Sequence, residues 1–188
     1  MDPAGVHFHY HRGLLVFFAI GAAGLVAIGA YFAAAASPWG SDAPEGLFFI
    51  LFFGCVLIFT VRAWFDTDPV VEIGPTGIRD RRMGNQLIPW DAISAVRGFG
   101  VWDNRLLKVL RFLSGFSKHG NRFLGIITDD PNQFYHPRNP IAGFLGRINL
   151  LVGYPLLNIN MGPLDGTYDD LVVAVRQFAQ DKGIDIRT

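Results

Sequence analysis

The residues of this chain best suited to chemistry are a few histidines and two aspartate pairs, and they are widely scattered. His7, His9 and His11 alternate near the start. A spacing of two places three imidazoles on one side of an extended strand, a geometry able to hold Zn²⁺ or Cu²⁺. A short polar head before a long apolar run is ordinarily solvated, the reading adopted here, and no metal site is assigned. Asp129-Asp130 stands directly before Pro131 and reads as a solvated turn. Asp169-Asp170 suits the first turn of a helix, where negative charge meets the positive end of the dipole. His119 and His136 share no spacing with a nucleophile, and neither a phosphate loop nor a zinc pattern is present. The expectation is a protein that is not an enzyme, with no catalytic, cofactor-binding or metal residues. The alternative is an enzyme whose site assembles only in three dimensions.

The elements that would carry such residues divide sharply in character. Leu14–Ala36 is 23 residues without a charged side chain. At about 1.5 Å per helical residue it reaches roughly 35 Å, enough to cross a hydrocarbon core of about 30 Å. Leu47–Val61 adds 15 uncharged residues, followed by Arg62, Ala63, Trp64 and Phe65. Arg62 can snorkel to the headgroups while Trp64 and Phe65 sit at the interface. The first run is much longer than the apolar core of a signal peptide, and a second run follows it. The two therefore predict a transmembrane hairpin, with spans at about 14–36 and 47–65 inside a segment 13–66. Ala19, Ala23 and Ala27 recur every fourth residue and predict a flat packing face. Between the runs, Ser37–Glu45 reads as a turn whose only charges are Asp42 and Glu45. Arg12 and Arg62 flank the hairpin on its outer ends, so both termini are expected on the cytoplasmic side of the membrane.

Composition agrees with a membrane chain and excludes other classes. Of the 188 residues, 51% are hydrophobic and the mean hydropathy is +0.30, above typical soluble domains. Net charge is zero. Nine basic residues against three acidic ones lie between Arg79 and Arg122, too diluted over the domain to suggest nucleic acid. Cys55, the one cysteine, lies in the second apolar run, so no disulfide can form within the chain.

After a tail at 1–12 and the hairpin, residues 67–188 read as one domain of short strands and two or three helices. Val70–Gly74 and Ile78–Arg82 predict a β-hairpin around Pro75-Thr76-Gly77, and Gly84-Asn85 a further turn. Asp91–Val96 leads into a strand extending toward Val101, and Arg122–Thr128 is the clearest strand of all. Pro140–Tyr154 predicts a helix with Ile141, Phe144, Leu145, Ile148, Leu151 and Val152 on one face, and Leu156–Asn160 a last strand. Thr167 with Asp170 three residues on resembles a capping box. Tyr168, Leu171, Val172, Val175, Phe178 and Ala179 then form a core stripe at helical spacing, with Gly183 as a stop.

Asn104–Lys118 breaks the strand rhythm. Leu106, Leu107, Val109, Leu110, Leu113 and Phe116 make a broad apolar face, while Arg105, Lys108 and Arg111 recur opposite. Such a basic amphipathic segment suits a membrane interface, and equally a helix packed on the domain's own core with its cations in solvent. Arg105, Leu106, Lys108, Val109, Arg111, Phe112, Leu113, Phe116 and Lys118 are the candidate membrane or partner contacts. Arg79, Arg81 and Arg82 are candidate contacts to anionic lipid or to a partner.

The ordered set of Asp68-Pro69 through Gly77-Ile78, Ile88-Pro89-Trp90-Asp91-Ala92-Ile93 and Phe123 through Asp130-Pro131 continues with Gly153-Tyr154-Pro155. Leu164 through Tyr168-Asp169-Asp170-Leu171 completes it. This set resembles a family of uncharacterised bacterial membrane proteins with two N-terminal transmembrane helices and a pleckstrin-homology-like cytoplasmic domain. It covers most of residues 68–182, and Val101–His119 departs from it as a longer, more basic stretch. The resemblance implies an α+β fold, a PH-like antiparallel sheet or split barrel capped by the C-terminal helix. It supplies no catalytic residues. Trp90 within the matched stretch reads as a buried bridge between strand and helix rather than a ligand stacker. The function expected is a membrane-anchored interaction module binding a membrane protein partner or anionic lipid headgroups. A stoichiometric accessory subunit of a larger membrane complex is the close alternative.

Overall fold

The computed structural model describes residues 5–35, 42–100, 122–137, 140–151 and 153–187. It is a mixed α+β protein that divides into two compact units, residues 10–68 and residues 1–9 with 69–188.

The first unit is the helical hairpin, α1 (Arg12–Ala35) packed on α2 (Asp42–Phe65). Both are long and apolar enough to cross a membrane. The second begins earlier than expected: Asp42 to Glu45 belong to its first turns rather than to the connecting turn. Acidic groups and a proline there suit a helix N-terminus. The contact face also differs from expectation. Ala22 and Gly29 are the buried residues of α1, whereas Ala23 and Ala27 face outward. The period of 3.6 residues, followed over seven positions, leads from Ala22 to Gly29 rather than along a strict four-residue row. Gly29 meets Gly46 of α2: a Cβ on Gly46 would lie 2.6 Å from the Ala33 backbone nitrogen and 2.7 Å from the Gly29 carbonyl oxygen. Only a residue without a side chain permits that approach. Thr60 is buried in the same unit and donates its hydroxyl to the Val56 carbonyl at 2.8 Å, which satisfies that hydroxyl.

The second unit contains two four-stranded sheets and, among the described residues, no closed barrel. The first sheet runs in the order β1 (Val6–Phe8), β2 (Val71–Gly74), β3 (Gly77–Asp80), β4 (Leu87–Pro89), all antiparallel. A single helical turn at Trp90–Ala92 leads the chain into the second sheet. Its members are β5 (Ile93–Gly100), β6 (Arg122–Thr128), β7 (Leu157–Asn160) and β8 (Asp185–Arg187), in the order β7-β6-β5-β8. β8 runs parallel to β5, so this sheet is mixed rather than antiparallel as expected.

Two strands were not anticipated, β1 and β8, and both are three residues long. Val6-His7-Phe8 departs from the solvated tail expected at 1–12: Phe8 is buried and pairs with Val71. Strands this short carry too little alternation to be read from sequence.

The core follows from strand alternation. Val71, Ile73, Ile78 and Ile88 on one sheet, with Val96, Leu124, Ile126, Leu157 and Ile159 on the other, are almost wholly inaccessible. Helix α4 (Tyr168–Ala179) packs on β2 and β6 through Leu171, Val172, Val175 and Phe178. Its capping box is formed as expected: Thr167 Oγ1 accepts from the Asp170 N–H at 3.2 Å, and Asp170 accepts from the Thr167 N–H at 2.8 Å. Trp90 is buried, with its indole N–H donating to the Gly74 carbonyl at 2.8 Å. Phe99, Phe123 and Tyr154 stack edge and face over Gly125, where a Cβ would fall 2.5 Å from the Phe99 ring. Helix α3 (Pro140–Leu151) ends three residues before the expected limit. Gly153 at φ +85° turns the chain out, and the Tyr154 N–H bonds back to the Asn149 carbonyl at 2.9 Å. Leu151, expected on the apolar face of this helix, is exposed.

Candidate interaction site

The residues expected to touch membrane or partner fall into two groups. Arg105, Leu106, Lys108, Val109, Arg111, Phe112, Leu113, Phe116 and Lys118 lie outside the described residues. Arg79, Arg81 and Arg82 lie on and after β3. Arg79 stands in a cross-strand row, His7–Glu72–Arg79–Leu87, on the outward side of the first sheet. Its guanidinium donates to the Glu72 carboxylate at 3.3 Å. Both side chains are partly exposed, so solvent screens this pair and its stabilising effect is modest.

Arg82 has an inward task. The Asp80 carboxylate is buried, and Arg82 grips it through Nε at 3.0 Å and Nη2 at 2.6 Å. The Arg82 backbone N–H adds a third bond to Asp80 at 2.8 Å. Burying a carboxylate unpaired is costly, and the bidentate fork meets its lone pairs. Nη1 of the same arginine donates to the Asn160 carbonyl at 2.9 Å, tying the turn after β3 to β7 in the other sheet. The Arg81 backbone N–H donates to Val70 at 3.0 Å, extending the pairing of β2 and β3 by one residue. Sequence places three bases in a run of four residues; the structure pairs Arg79 with Glu72 and Arg82 with Asp80. The missed signal is Asp80 within that run.

The Asp80–Arg82 pair forms one wall of a half-open cavity of about 180 Å³. Met83, Tyr135, Gly146 and Leu156 supply its apolar surface, and Asn149, Asn158 and Asn160 its carboxamides. Asn158 donates to the Pro155 carbonyl at 2.9 Å, and the Asn160 side chain accepts from the Gly162 N–H at 2.8 Å. Burial raises the Tyr135 phenol above its usual pKa. The cavity combines neutral hydrogen-bonding groups with one internally neutralised ion pair, and presents neither a nucleophile–base pair nor a cluster of like charge.

The histidines take separate places. His7 is exposed on β1. The His9 N–H donates to the Asp165 carboxylate, and the His9 carbonyl accepts from the Asp165 N–H at 2.8 Å. His11 caps the start of α1 through Nδ1, which accepts from the Leu14 N–H at 3.1 Å. Among the described residues, no group of three His, Cys, Asp or Glu side chains converges as metal ligands. Asp130 caps its own turn by accepting from the Asn132 N–H at 3.1 Å, and Asp170 is held in the α4 cap. Those hydrogen bonds from Thr167 keep the Asp170 carboxyl below the usual pKa.

A broad apolar surface is exposed on the hairpin. Phe17, Ile20, Tyr31, Phe48, Leu51, Phe52 and Phe59 are half or more exposed, a distribution that water does not tolerate on two 24-residue helices. Together with their length, it supports a membrane protein.

Comparison with protein-family models, curated proteins and solved structures finds no match to this chain.

Proposed function

We propose that the protein is a membrane-anchored interaction module, without enzymatic activity, that engages a membrane protein partner. The observation that carries this reading is the outward aromatic and aliphatic belt of α1 and α2, whose own contact uses a single narrow seam of small residues. Everything outside that seam is available to lipid or to the helices of a neighbour. Linkers of three residues before α1 and five after α2 join the hairpin to the adjoining domain. The domain is PH-like in this reading, on the support of two small sheets and the amphipathic helix α4. The anchor is a two-span hairpin of a bacterial inner membrane with both termini cytoplasmic, favoured by Arg12 and Arg62 at its outer ends.

A stoichiometric accessory subunit of a larger membrane complex is the most concrete form of this function. Anionic lipid is the second form. It draws support from the basic excess between Arg79 and Arg122, but Arg79 and Arg82 spend part of their charge on Glu72 and Asp80.

Affinity purification of the tagged full-length chain in mild detergent, with native mass determination, tests the proposal. A fixed co-eluting membrane protein is the expected result. A monodisperse monomer sinks the partner form and moves attention to lipid. The lipid form then requires that nanodisc-embedded protein recruit anionic vesicles over neutral ones, with loss of that preference at high salt.

A further inference from the structure

The hairpin is an insertion between two adjacent strands of one sheet. β1 ends at Phe8 and β2 begins at Val71, and the register pairs Val6 with Ile73, His7 with Glu72 and Phe8 with Val71. β1 is fastened by more than its ladder. The Val70 N–H donates to the Phe8 carbonyl at 2.8 Å, and Phe8 is 4% exposed with its ring against Gly166. His9 and Asp165 exchange backbone and carboxylate hydrogen bonds just beyond it. A three-residue edge strand alone is marginal, so these additional contacts are what make it persist.

We propose that residues 5–9 act as a clasp that binds the chain ahead of the hairpin to the domain behind it. The two ends of the membrane anchor are thereby fixed to one face of the bilayer by the fold itself. A strand cannot hydrogen-bond to its neighbour through a hydrocarbon core, so the number of crossings between Phe8 and Val71 is even. The clasp deepens the reading of α1 and α2 as two spans, yet makes a separate statement. The arginine flanks bias which face the ends occupy, whereas the β1–β2 ladder requires that they occupy the same one. It also makes β1 part of the domain, which without residues 5–9 exposes the β2 edge and the seat of Phe8 to solvent.

The test uses the full-length chain in its native membrane with Cys55→Ser as background. His7 and Glu72 stand directly opposite on the outward side of an antiparallel ladder, with separations that a disulfide can span. The double variant His7→Cys/Glu72→Cys is expected to form an intramolecular disulfide under mild oxidation, read as a gel shift reversed by reductant. Absence of that shift in folded protein overturns the clasp. Independently, single cysteines at exposed His7, Glu45 and Lys182 are labelled with a membrane-impermeant maleimide from either side. Positions 7 and 182 are expected to react from one side and position 45 from the other. If 7 and 182 react from opposite sides, the clasp fails. If all three react from one side, the clasp stands and the two-span reading fails.

Discussion

The hairpin and the domain solve opposite problems with the same residue types. In the domain the large aliphatic side chains are inside: Ile73, Leu124 and Leu171 have essentially no exposure. In the hairpin the inside belongs to Ala22, Gly29 and Gly46, while Phe17, Ile20 and Leu51 look outward. Water drives the first arrangement, because each buried aliphatic chain contributes about 1.5–3 kcal/mol. Lipid is as apolar as leucine and gives no such drive between helices, so the hairpin relies on close backbone approach. One chain thus holds two units whose stability responds to different substitutions.

The contrast breaks most visibly when the same side chain is truncated in both units. Leu171→Ala in α4 is expected to cost about 2–5 kcal/mol, read as a fall in the thermal midpoint of the domain. Leu51→Ala, outward on α2, is expected to change it by less than about 0.5 kcal/mol. Equal effects would refute the assignment of different solvents to the two surfaces. The reverse experiment enlarges a side chain at the seam. A Leu at Gly46 would press on the Ala33 and Gly29 backbones, and overpacking of this kind costs about 1–3 kcal/mol. The Gly46→Leu hairpin is expected to lose protease protection while the domain keeps its midpoint.

Smaller effects sharpen the picture within the domain. Thr167→Ala removes the α4 cap and is expected to cost about 1 kcal/mol, measured by denaturant titration. Acid titration separates the other half of the same cap. Because Thr167 lowers the Asp170 pKa in the folded state, the cap's contribution is fully present above the usual carboxylate value. It is lost as pH falls through the lowered folded value, where protonation enters the native state as well. Stability of the unaltered protein should therefore decline more steeply on acidification below about pH 4 than that of Asp170→Asn. Parallel curves for the two would show that Thr167 does not favour the charged carboxylate.

Much of this molecule is legible without coordinates. The apolar runs, the strand Arg122–Thr128 and the Thr167–Asp170 cap each declare themselves over a few consecutive residues. Their signals are local: an uncharged stretch, a run of β-formers bounded by a proline, a side chain three residues from its backbone partner. The candidate site was less legible. Arg79, Arg81 and Arg82 look alike in sequence, yet Arg82 grips Asp80 and also reaches Asn160, 78 positions further along the chain, through one guanidinium.

By itself the sequence determined the division into two long apolar helices and a strand-rich unit, the core stripe of α4 and the Thr167–Asp170 cap that starts it. Those features depend on the period of one segment and the solvent that segment prefers. Tertiary structure alone decided the rest. It drew Val6–Phe8 across the hairpin to pair with Val71–Ile73, laid Asp185–Arg187 parallel to β5, and chose Gly29 and Gly46 over an alanine row as the helix seam. Each of these pairs surfaces distant in sequence. Which distant surfaces fit is settled by packing density and hydrogen-bond completion, and neither is written in any single stretch of the chain.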